Sequence, residues 1–443
     1  MGKLKQFRDP ELSLWQSAVD EVVAKKKVGA QTLDVGGHGP KAITRPNSAE
    51  DPMVQAAALD VTAEDQAKSA GTTQAVPAAP PVAATEGIGQ VVKYCSTLAR
   101  NYALAKFRGD AASADKYHEQ LCDKFTVCDV GWAETAIKYA EFLASRQQVP
   151  YRVYTKMSDF VIDGKLKDTA RVALVGDWGT GQDPAKKILA QIARKNPDVV
   201  IHLGDIYYSA TDFEVQSYFY QIWSGLLDLS KIPTFTLSGN HDMFAGGQPY
   251  YALLDKLNQP ASYFALRNTA WQFVAMDTGL NDRKPGGTVP TFLQDTEVAW
   301  LEDKIGNAGG RKTILLSHHQ LFTAYEDIGG QAVNDHLNTQ ISGMLPKVTV
   351  WFWGHEHDLV LYRNHLGVLG RCVGHGAFPV GNGELPMTPK FPEIPTDPLR
   401  LELDSDEAFY NHGYVIIDLD GPNAKVSYYQ ESDEDTAQFV ESF

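Results

Sequence analysis

The sequence predicts an α/β protein whose sheets are buried on both faces. From residue 170 onward, apolar runs of strand length alternate with stretches of helical periodicity, which is the pattern of βαβ units. The composition agrees, because 43% hydrophobic and 21% charged residues are ordinary for a globular protein with a large core. The same composition excludes collagen-like, disulfide-rich and fully disordered proteins.

The first 150 residues predict an N-terminal helical extension in three parts. Residues 1–30 predict one short helix that begins at Asp9 and Pro10, and residues 31–87 form an Ala/Pro-rich linker. Two apolar stripes at helical spacing predict a small helical region over residues 88–150. None of these parts carries recognisable chemistry.

Five apolar runs predict the strands of a main domain over residues 165–430. They are ARVALVG (170–176), DVVIHLG (198–204), TFTLSG (234–239), KTILLS (312–317) and VTVWFWG (348–354). Helical patterns lie near 184–195, 212–228 and 294–305, and the runs at 413–420 and 424–430 predict a hairpin. Residues 431–443 predict a solvated acidic tail.

The net charge and the cysteine content indicate which binding partners and which cellular compartment suit this protein. The 40 Lys and Arg against 55 Asp and Glu give a formal charge of −15, which disfavours a nucleic-acid coating function. Four cysteines without a Cys-x-x-Cys pair suit a reducing compartment. With no visible signal peptide and no apolar run of about 18 residues, we expect a cytoplasmic protein without transmembrane contact. The oligomeric state is left open.

Each of the five runs is followed at once by a side chain that can bind a metal ion. These side chains are Asp177, Asp205, Asn240, His318 and His355. A single Asp or Asn commonly caps a helix, and a lone histidine is commonly a core residue. Five such residues at the carboxyl ends of strands, where α/β proteins build their sites, indicate a functional centre.

The residues around these positions resemble the five motif blocks of the calcineurin-like metallophosphoesterases, in that family's order. The blocks are GDWGTG (176–181), GDIYYS (204–209), GNHD (239–242), SHHQ (317–320) and GHEH (354–357). The resemblance implies the family's four-layer α/β/β/α sandwich of two mixed sheets. Trp178 and Gly179 leave the first block without its usual histidine, whereas Tyr208 stands three residues after Asp205. This exchange is similar to the purple acid phosphatase branch.

That resemblance implies a set of seven ligands for two metal ions. Metal one would be held by Asp177, Asp205, Tyr208 and His357, and metal two by Asp205, Asn240, His318 and His355. A phenolate at Tyr208 favours iron, with iron, zinc or manganese at the second position. The alternative for Tyr208 is packing under the sheet edge, since Tyr207 beside it shows that aromatic residues suit this loop.

The resemblance also implies residues that face the substrate. His241 matches the family histidine that contacts phosphate and protonates the leaving group, and Asp242 could orient its ring. Asn240 and His319 complete the predicted substrate contacts. An exchange of roles between His318 and His319 is the alternative.

The function implied is a binuclear hydrolase of phosphate monoesters, in which a metal-bridged hydroxide attacks phosphorus of a small phosphorylated substrate. Further histidines of the purple acid phosphatases are missing from residues 321–336, where Glu326 and Asp327 stand. This acidic stretch keeps open a phosphodiesterase of cyclic nucleotides or phospholipid headgroups. A non-catalytic scaffold on the same fold is the alternative from another class. The branch is commonly exported, unlike the cytoplasmic location expected here.

Overall fold

The computed structural model describes residues 147–282 and 290–443, together with Lys138 and Phe142. The predicted segments 1–30 and 31–87, and nearly all of 88–150, lie outside the described residues. Within the described residues, no helix combines the length and the apolar character needed to cross a bilayer.

Thirteen strands are found in the described part of the chain. They are β1 (Val161–Asp163), β2 (Thr169–Val175), β3 (Val199–His202), β4 (Thr234–Thr236), β5 (Phe264–Arg267), β6 (Trp271–Ala275), β7 (Lys312–Leu316), β8 (Val350–Trp353), β9 (Leu359–Leu361), β10 (Gly370–Val373), β11 (Gly413–Asp420), β12 (Asn423–Gln430) and β13 (Phe439–Ser442). They form two mixed sheets, in the orders β1-β5-β6-β7-β8-β10-β9 and β13-β12-β11-β2-β3-β4. The five predicted strands and the predicted hairpin are all present.

Helices follow most of the parallel strands. They are α1 (Asp183–Arg194), α2 (Asp212–Glu214), α3 (Gln221–Leu226), α4 (His241–Phe244), α5 (Gln248–Lys256), α6 (Asp295–Gly306) and α7 (Asp335–Ile341). A π-helical segment, Val215–Tyr220, joins α2 to α3, and a 3₁₀ turn covers Leu345–Lys347. The three helical stretches predicted near 184–195, 212–228 and 294–305 are confirmed.

The alternation of side chains along the strands places the two sheets face to face. In β8, Val350 and Phe352 join a core shared by both sheets, whereas Trp351 and Trp353 point to the opposite side. Helix α6 covers that outer side, and α1 covers the outer side of the other sheet. This period of two, with both faces buried, produces the four layers α/β/β/α and confirms the predicted fold.

The segment 431–443, predicted as a solvated acidic tail, ends in a strand. Phe439–Ser442 is the edge strand β13, which pairs antiparallel with β12. Glu431 is held by the Nζ of Lys187 at 3.0 Å and by the ring of His412 at 2.8 Å. Burial opposes ionisation of Glu431, but these partners outweigh burial and lower its pKa to about 2. The segment therefore ends in the sheet, whereas Asp433 and Asp435, in the turn between β12 and β13, are exposed.

The main domain begins earlier than residue 165. Strand β1 pairs in parallel with β5, in register from Val161 opposite Ala265. Further upstream, the guanidinium of Arg152 contacts Asp255 at 2.8 Å, and Tyr151 stacks on Tyr263 with ring centroids 5.6 Å apart. The sequence boundary was misplaced because this short segment has neither a long apolar run nor helical periodicity.

Candidate active site

The predicted metal ligands lie in loops at the carboxyl ends of five strands. The loops follow β2, β3, β4, β7 and β8 and carry, in that order, Asp177, Asp205, Asn240, His318, and the pair His355 and His357. Strands β2, β3 and β4 are parallel neighbours in one sheet, and β7 and β8 are parallel neighbours in the other. Two facing sheets therefore deliver six of the seven predicted ligands to one place.

The donor atoms predicted for metal two are already spaced as an ion requires. The Oδ1 of Asn240 lies 3.2 Å from the Nε2 of His318 and 3.2 Å from the Nδ1 of His355. The same Nε2 lies 3.4 Å from the Oδ2 of Asp205. An ion bound tetrahedrally at about 2.1 Å separates its donors by about 3.4 Å. The residues present thus fit a bound metal ion.

The tautomer of His318 suits a ligand. Its Nδ1 lies 3.0 Å from the carbonyl oxygen of Leu203, which can only accept a hydrogen bond. The proton is therefore on Nδ1, and Nε2 carries the lone pair that faces Asn240 and Asp205. The main chain fixes the ring for metal coordination.

On the metal-one side, the phenol that reaches the predicted ligands belongs to Tyr207. Its Oη lies 3.0 Å from the Oδ1 of Asp177 and 2.9 Å from the Nε2 of His357. Those two ligand atoms are 3.5 Å apart. Burial, followed by the charges of Asp177 and Asp205, raises the pKa of Tyr207, so the phenol is protonated and donates to Asp177. In the sequence, Tyr207 stands out only as the aromatic neighbour of Tyr208.

The main chain of Tyr208, the predicted ligand, is held by two hydrogen bonds. Its N–H donates to the Oε1 of Glu214 at 2.5 Å, and its carbonyl accepts from the Nδ1 of His241 at 2.6 Å. Glu214 also accepts from the N–H groups of Ser209 and Thr211. Glu214 therefore fixes the conformation of this loop. The ligand role of Tyr208 stays a prediction.

The structure explains why the first block has no histidine. A side chain at Gly179 would place its Cβ 2.5 Å from the carbonyl oxygen of Asp205. Trp178 is buried, and its indole N–H donates to the carbonyl of Ala185 at 2.7 Å. Position 179 therefore has no room for a histidine, and the side chain at position 178 packs into the core instead.

Three of the ligands have left-handed backbone conformations. Asp177, Asp205 and His355 have φ angles of 55°, 75° and 66°. Residues with a Cβ rarely adopt such angles, and they cluster at functional sites where the surroundings hold them in place. The backbone thus turns these side chains toward a common point at a cost in conformational energy.

The electrostatics of the site favour a bound cation. Burial lowers the pKa of His318, but the charges of Asp205 and Asp177 outweigh burial and raise it to about 9. The carboxylates of the site thus create a strongly negative potential at this buried ring. The same potential attracts a metal ion.

His241 lies beside the ligands without being one of them. Its Nδ1 donates to the carbonyl of Tyr208 at 2.6 Å, and its Nε2 lies 3.9 Å from the Oδ2 of Asp205. The predicted orienting role of Asp242 is corrected. The Asp242 carboxylate instead accepts the N–H groups of Asp205, Ile206 and Gly239 at 2.7–3.1 Å. It clamps two ligand loops together.

The substrate contact of His319 stays a prediction, and the structure shows which groups hold its ring. Its Nε2 lies 3.1 Å from the Oδ2 of Asp282, and its Nδ1 lies 3.1 Å from the Oγ1 of Thr278. Its ring packs against that of His355 with centroids 4.3 Å apart. Because both nitrogens are engaged, His319 supports the ligands. The sequence missed its partners, which lie in a loop outside the five motif blocks.

The charge of the acidic stretch after β7 is partly neutralised. Asp327 forms an ion pair with the Nζ of Lys390 at 2.5 Å. Asp358, the residue after His357, forms an ion pair with the guanidinium of Arg400 at 2.6 Å. The acidic character read from the sequence therefore argues less strongly against an anionic substrate.

Comparison with known proteins agrees with the fold and the site. Residues 170–359 match the family model described as calcineurin-like phosphoesterase. This match and the similar proteins below support the calcineurin-like metallophosphoesterase superfamily and its purple acid phosphatase-like branch. They also support the general prediction of a metal-dependent phosphoester hydrolase.

Similar proteins include two phosphoesterases of different specificity. Tartrate-resistant acid phosphatase type 5 of Homo sapiens is 23% identical over 296 residues, which are 59% of this chain and 87% of that protein. Glycerophosphodiester phosphodiesterase GpdQ of Enterobacter lignolyticus (strain SCF1) is 28% identical over 174 residues, or 38% of this chain and 59% of that protein. Among solved structures, GAP50, the anchor in the inner membrane complex of Plasmodium, has a TM-score of 0.43 at 12% identity and covers 62% of this chain and 88% of its own.

Proposed function

We propose that this protein is a binuclear metal-dependent hydrolase of phosphate monoesters. The observation that carries the proposal is the position of Asp205 between two groups of donor atoms. Its Oδ2 lies 3.4 Å from the Nε2 of His318 on the metal-two side. Asp177, Asp205 and His318 each offer one donor atom within 4.8 Å of the others. One carboxylate is thereby able to serve both halves of the site.

The proposed cofactors are iron beside the tyrosine and iron, zinc or manganese at the second position. Asp177, Asp205, His357 and a tyrosine would hold the first ion, and Asp205, Asn240, His318 and His355 the second. Two bound ions supply positive charge for a phosphate group and lower the pKa of a coordinated water. The donor set suits them because it combines carboxylates, imidazoles, an amide and a phenol.

The chain's own residues supply binding and proton transfer. His241 presents its Nε2 beside Asp205, where it can contact a phosphate oxygen and, when protonated, donate to the departing alkoxide. The bond from its Nδ1 to the Tyr208 carbonyl keeps the ring in that orientation. Asp242 holds the Asp205 and Gly239 loops in register by accepting their N–H groups.

The second candidate is a phosphodiesterase, as the printed name of the similar Enterobacter enzyme suggests. A panel of esters separates the two activities. Chelated protein, reloaded with iron, zinc or manganese, should hydrolyse p-nitrophenyl phosphate and alkyl monoesters faster than bis-p-nitrophenyl phosphate, cyclic AMP or glycerophosphocholine.

The chelated chain is the control and should be inactive. A preference for diesters would replace the monoesterase proposal with the phosphodiesterase. Two bound ions without hydrolysis of any ester would instead favour the non-catalytic scaffold.

The tyrosine at metal one can be identified by absorbance. If a phenolate binds iron, the iron-loaded protein should be coloured, and the matched pair Tyr207→Phe and Tyr208→Phe tells which phenol is responsible. We expect Tyr207→Phe to remove the visible band, since the Tyr207 Oη lies 3.0 Å from the Oδ1 of Asp177 and 2.9 Å from the Nε2 of His357. Loss of colour in Tyr208→Phe alone would restore the sequence assignment. A colourless wild type with iron bound would rule out both.

A further inference from the structure

A loop outside the five motif blocks braces the metal-two ligands. This brace, residues 277–282, follows β6. Asp277 accepts a hydrogen bond from the hydroxyl of Ser238, two residues before the ligand Asn240. A Cβ at Gly279 would lie 2.4 Å from the carbonyl oxygen of Gly239, so the two loops are in close contact. The brace therefore bears directly on the loop that carries Asn240.

The same brace holds the histidine neighbour of a second ligand. Thr278 accepts the N–H of His319 at 3.0 Å, and Asp282 contacts the ring of His319 at 3.1 Å. His319 in turn follows His318 and packs against His355. The brace thus contacts the surroundings of three of the four predicted metal-two ligands. It contacts the Asn240 loop directly, and it contacts His318 and His355 through His319.

The brace is anchored from the N-terminal side of the domain. The N–H of Asp277 donates to the Oε1 of Glu297 at 2.8 Å, and the phenol of Tyr151 donates to the Oε2 of Glu297 at 3.0 Å. Asp277 and Glu297 are completely buried. Two buried carboxylates are costly, so groups that satisfy them are expected to be fixed in place.

We propose that Tyr151, acting through Glu297 and Asp277, is a positioning residue for the metal-two half of the site. The inference rests on the proposed binuclear function and adds to it a contribution from the segment that precedes β1. Loss of the Tyr151 hydroxyl leaves one oxygen of Glu297 without this donor, so Glu297 fixes Asp277 less firmly. Asp277 in turn fixes Ser238 and the Asn240 loop less firmly.

The metal-one ligand Asp177 is held from a different side. Its carbonyl accepts the N–H groups of Ala377 and Phe378, each at 3.2 Å, and its Oδ1 accepts the phenol of Tyr207 at 3.0 Å. The main-chain N–H of His355 also donates to its Oδ2 at 2.8 Å, and that bond does not involve the brace. The effect of Tyr151 should therefore fall mainly on the second ion. Removing outer groups that orient metal ligands typically weakens metal affinity about 10–100-fold.

The test is a titration of the full-length, chelated chain with Mn²⁺ by calorimetry, together with a count of bound metal. Asn240→Ala identifies which binding step belongs to metal two. Tyr151→Phe should weaken that step about tenfold and leave the other within about twofold. Ser238→Ala acts at the far end of the relay and should give the same pattern, so the test does not depend on one variant.

Tyr428→Phe is the matched control, because Tyr428 is also buried and donates to a glutamate, Glu441, at 2.5 Å. It should lower the melting temperature without changing either binding step. Combining Tyr151→Phe with Ser238→Ala should add little to the larger single effect if both act through Asp277. Wild-type metal affinity in both single variants, or equal weakening in Tyr428→Phe, would overturn the inference. A wild-type chain that binds fewer than two ions would overturn the binuclear proposal itself.

Discussion

Asp205→Ala is expected to be the most damaging single substitution in the chain. It removes the carboxylate that lies 3.4 Å from His318 and that is predicted to touch both ions. Because a metal ion contributes several kcal/mol to stabilising charge in the transition state, the loss of activity should be about 10³-fold or more. Metal analysis should find fewer than two ions per chain.

Asn240→Ala provides the comparison for Asp205→Ala. It removes a neutral donor that faces His318 and His355 only, so it should weaken metal two and spare metal one. The fold should survive in both variants, since the N–H of residue 205 still donates to Asp242. Full metal content and activity in Asp205→Ala would mean that the bridging role is wrong.

The ligand-bearing strands could be predicted because each is a short apolar run with both faces buried. Such a run ends at a polar residue whose position is fixed by the strand, so Asp177 and His318 could be placed from the sequence. Asp277 follows β6 in the same way but accepts hydrogen bonds from two hydroxyls and a main-chain N–H. The pattern alone cannot distinguish an aspartate that braces a loop from one that binds an ion.

The choice between Tyr207 and Tyr208 shows a different limit. The two residues stand next to each other, and which phenol faces the ligands depends on the backbone of the loop. That backbone is set by the left-handed conformation of Asp205 and by the four hydrogen bonds that Glu214 accepts from Tyr208, Ser209 and Thr211. Spacing from Asp205 carries none of this information.

His241→Ala should lower turnover while both ions remain bound. The ring contributes no ligand atom in the proposed site, and the bond from Nδ1 to the Tyr208 carbonyl leaves Nε2 as the ring atom beside Asp205, at 3.9 Å. General acid catalysis contributes about 10²–10⁴-fold, so alkyl phosphates, whose leaving groups need a proton, should lose that much. An activated phenol leaves without help, and p-nitrophenyl phosphate should therefore lose much less. Calorimetry and metal analysis should show unchanged metal content.

The control for this prediction is His336→Ala. His336 is an exposed histidine that stacks on Phe292 with ring centroids 4.6 Å apart, and its removal should leave turnover of both esters unchanged. The comparison of leaving groups then decides what His241 does. Equal losses on alkyl and activated esters would show that His241 positions the phosphate, because binding does not depend on the basicity of the leaving group. A loss confined to alkyl esters assigns it proton donation, since only that step is needed more as the leaving group becomes more basic.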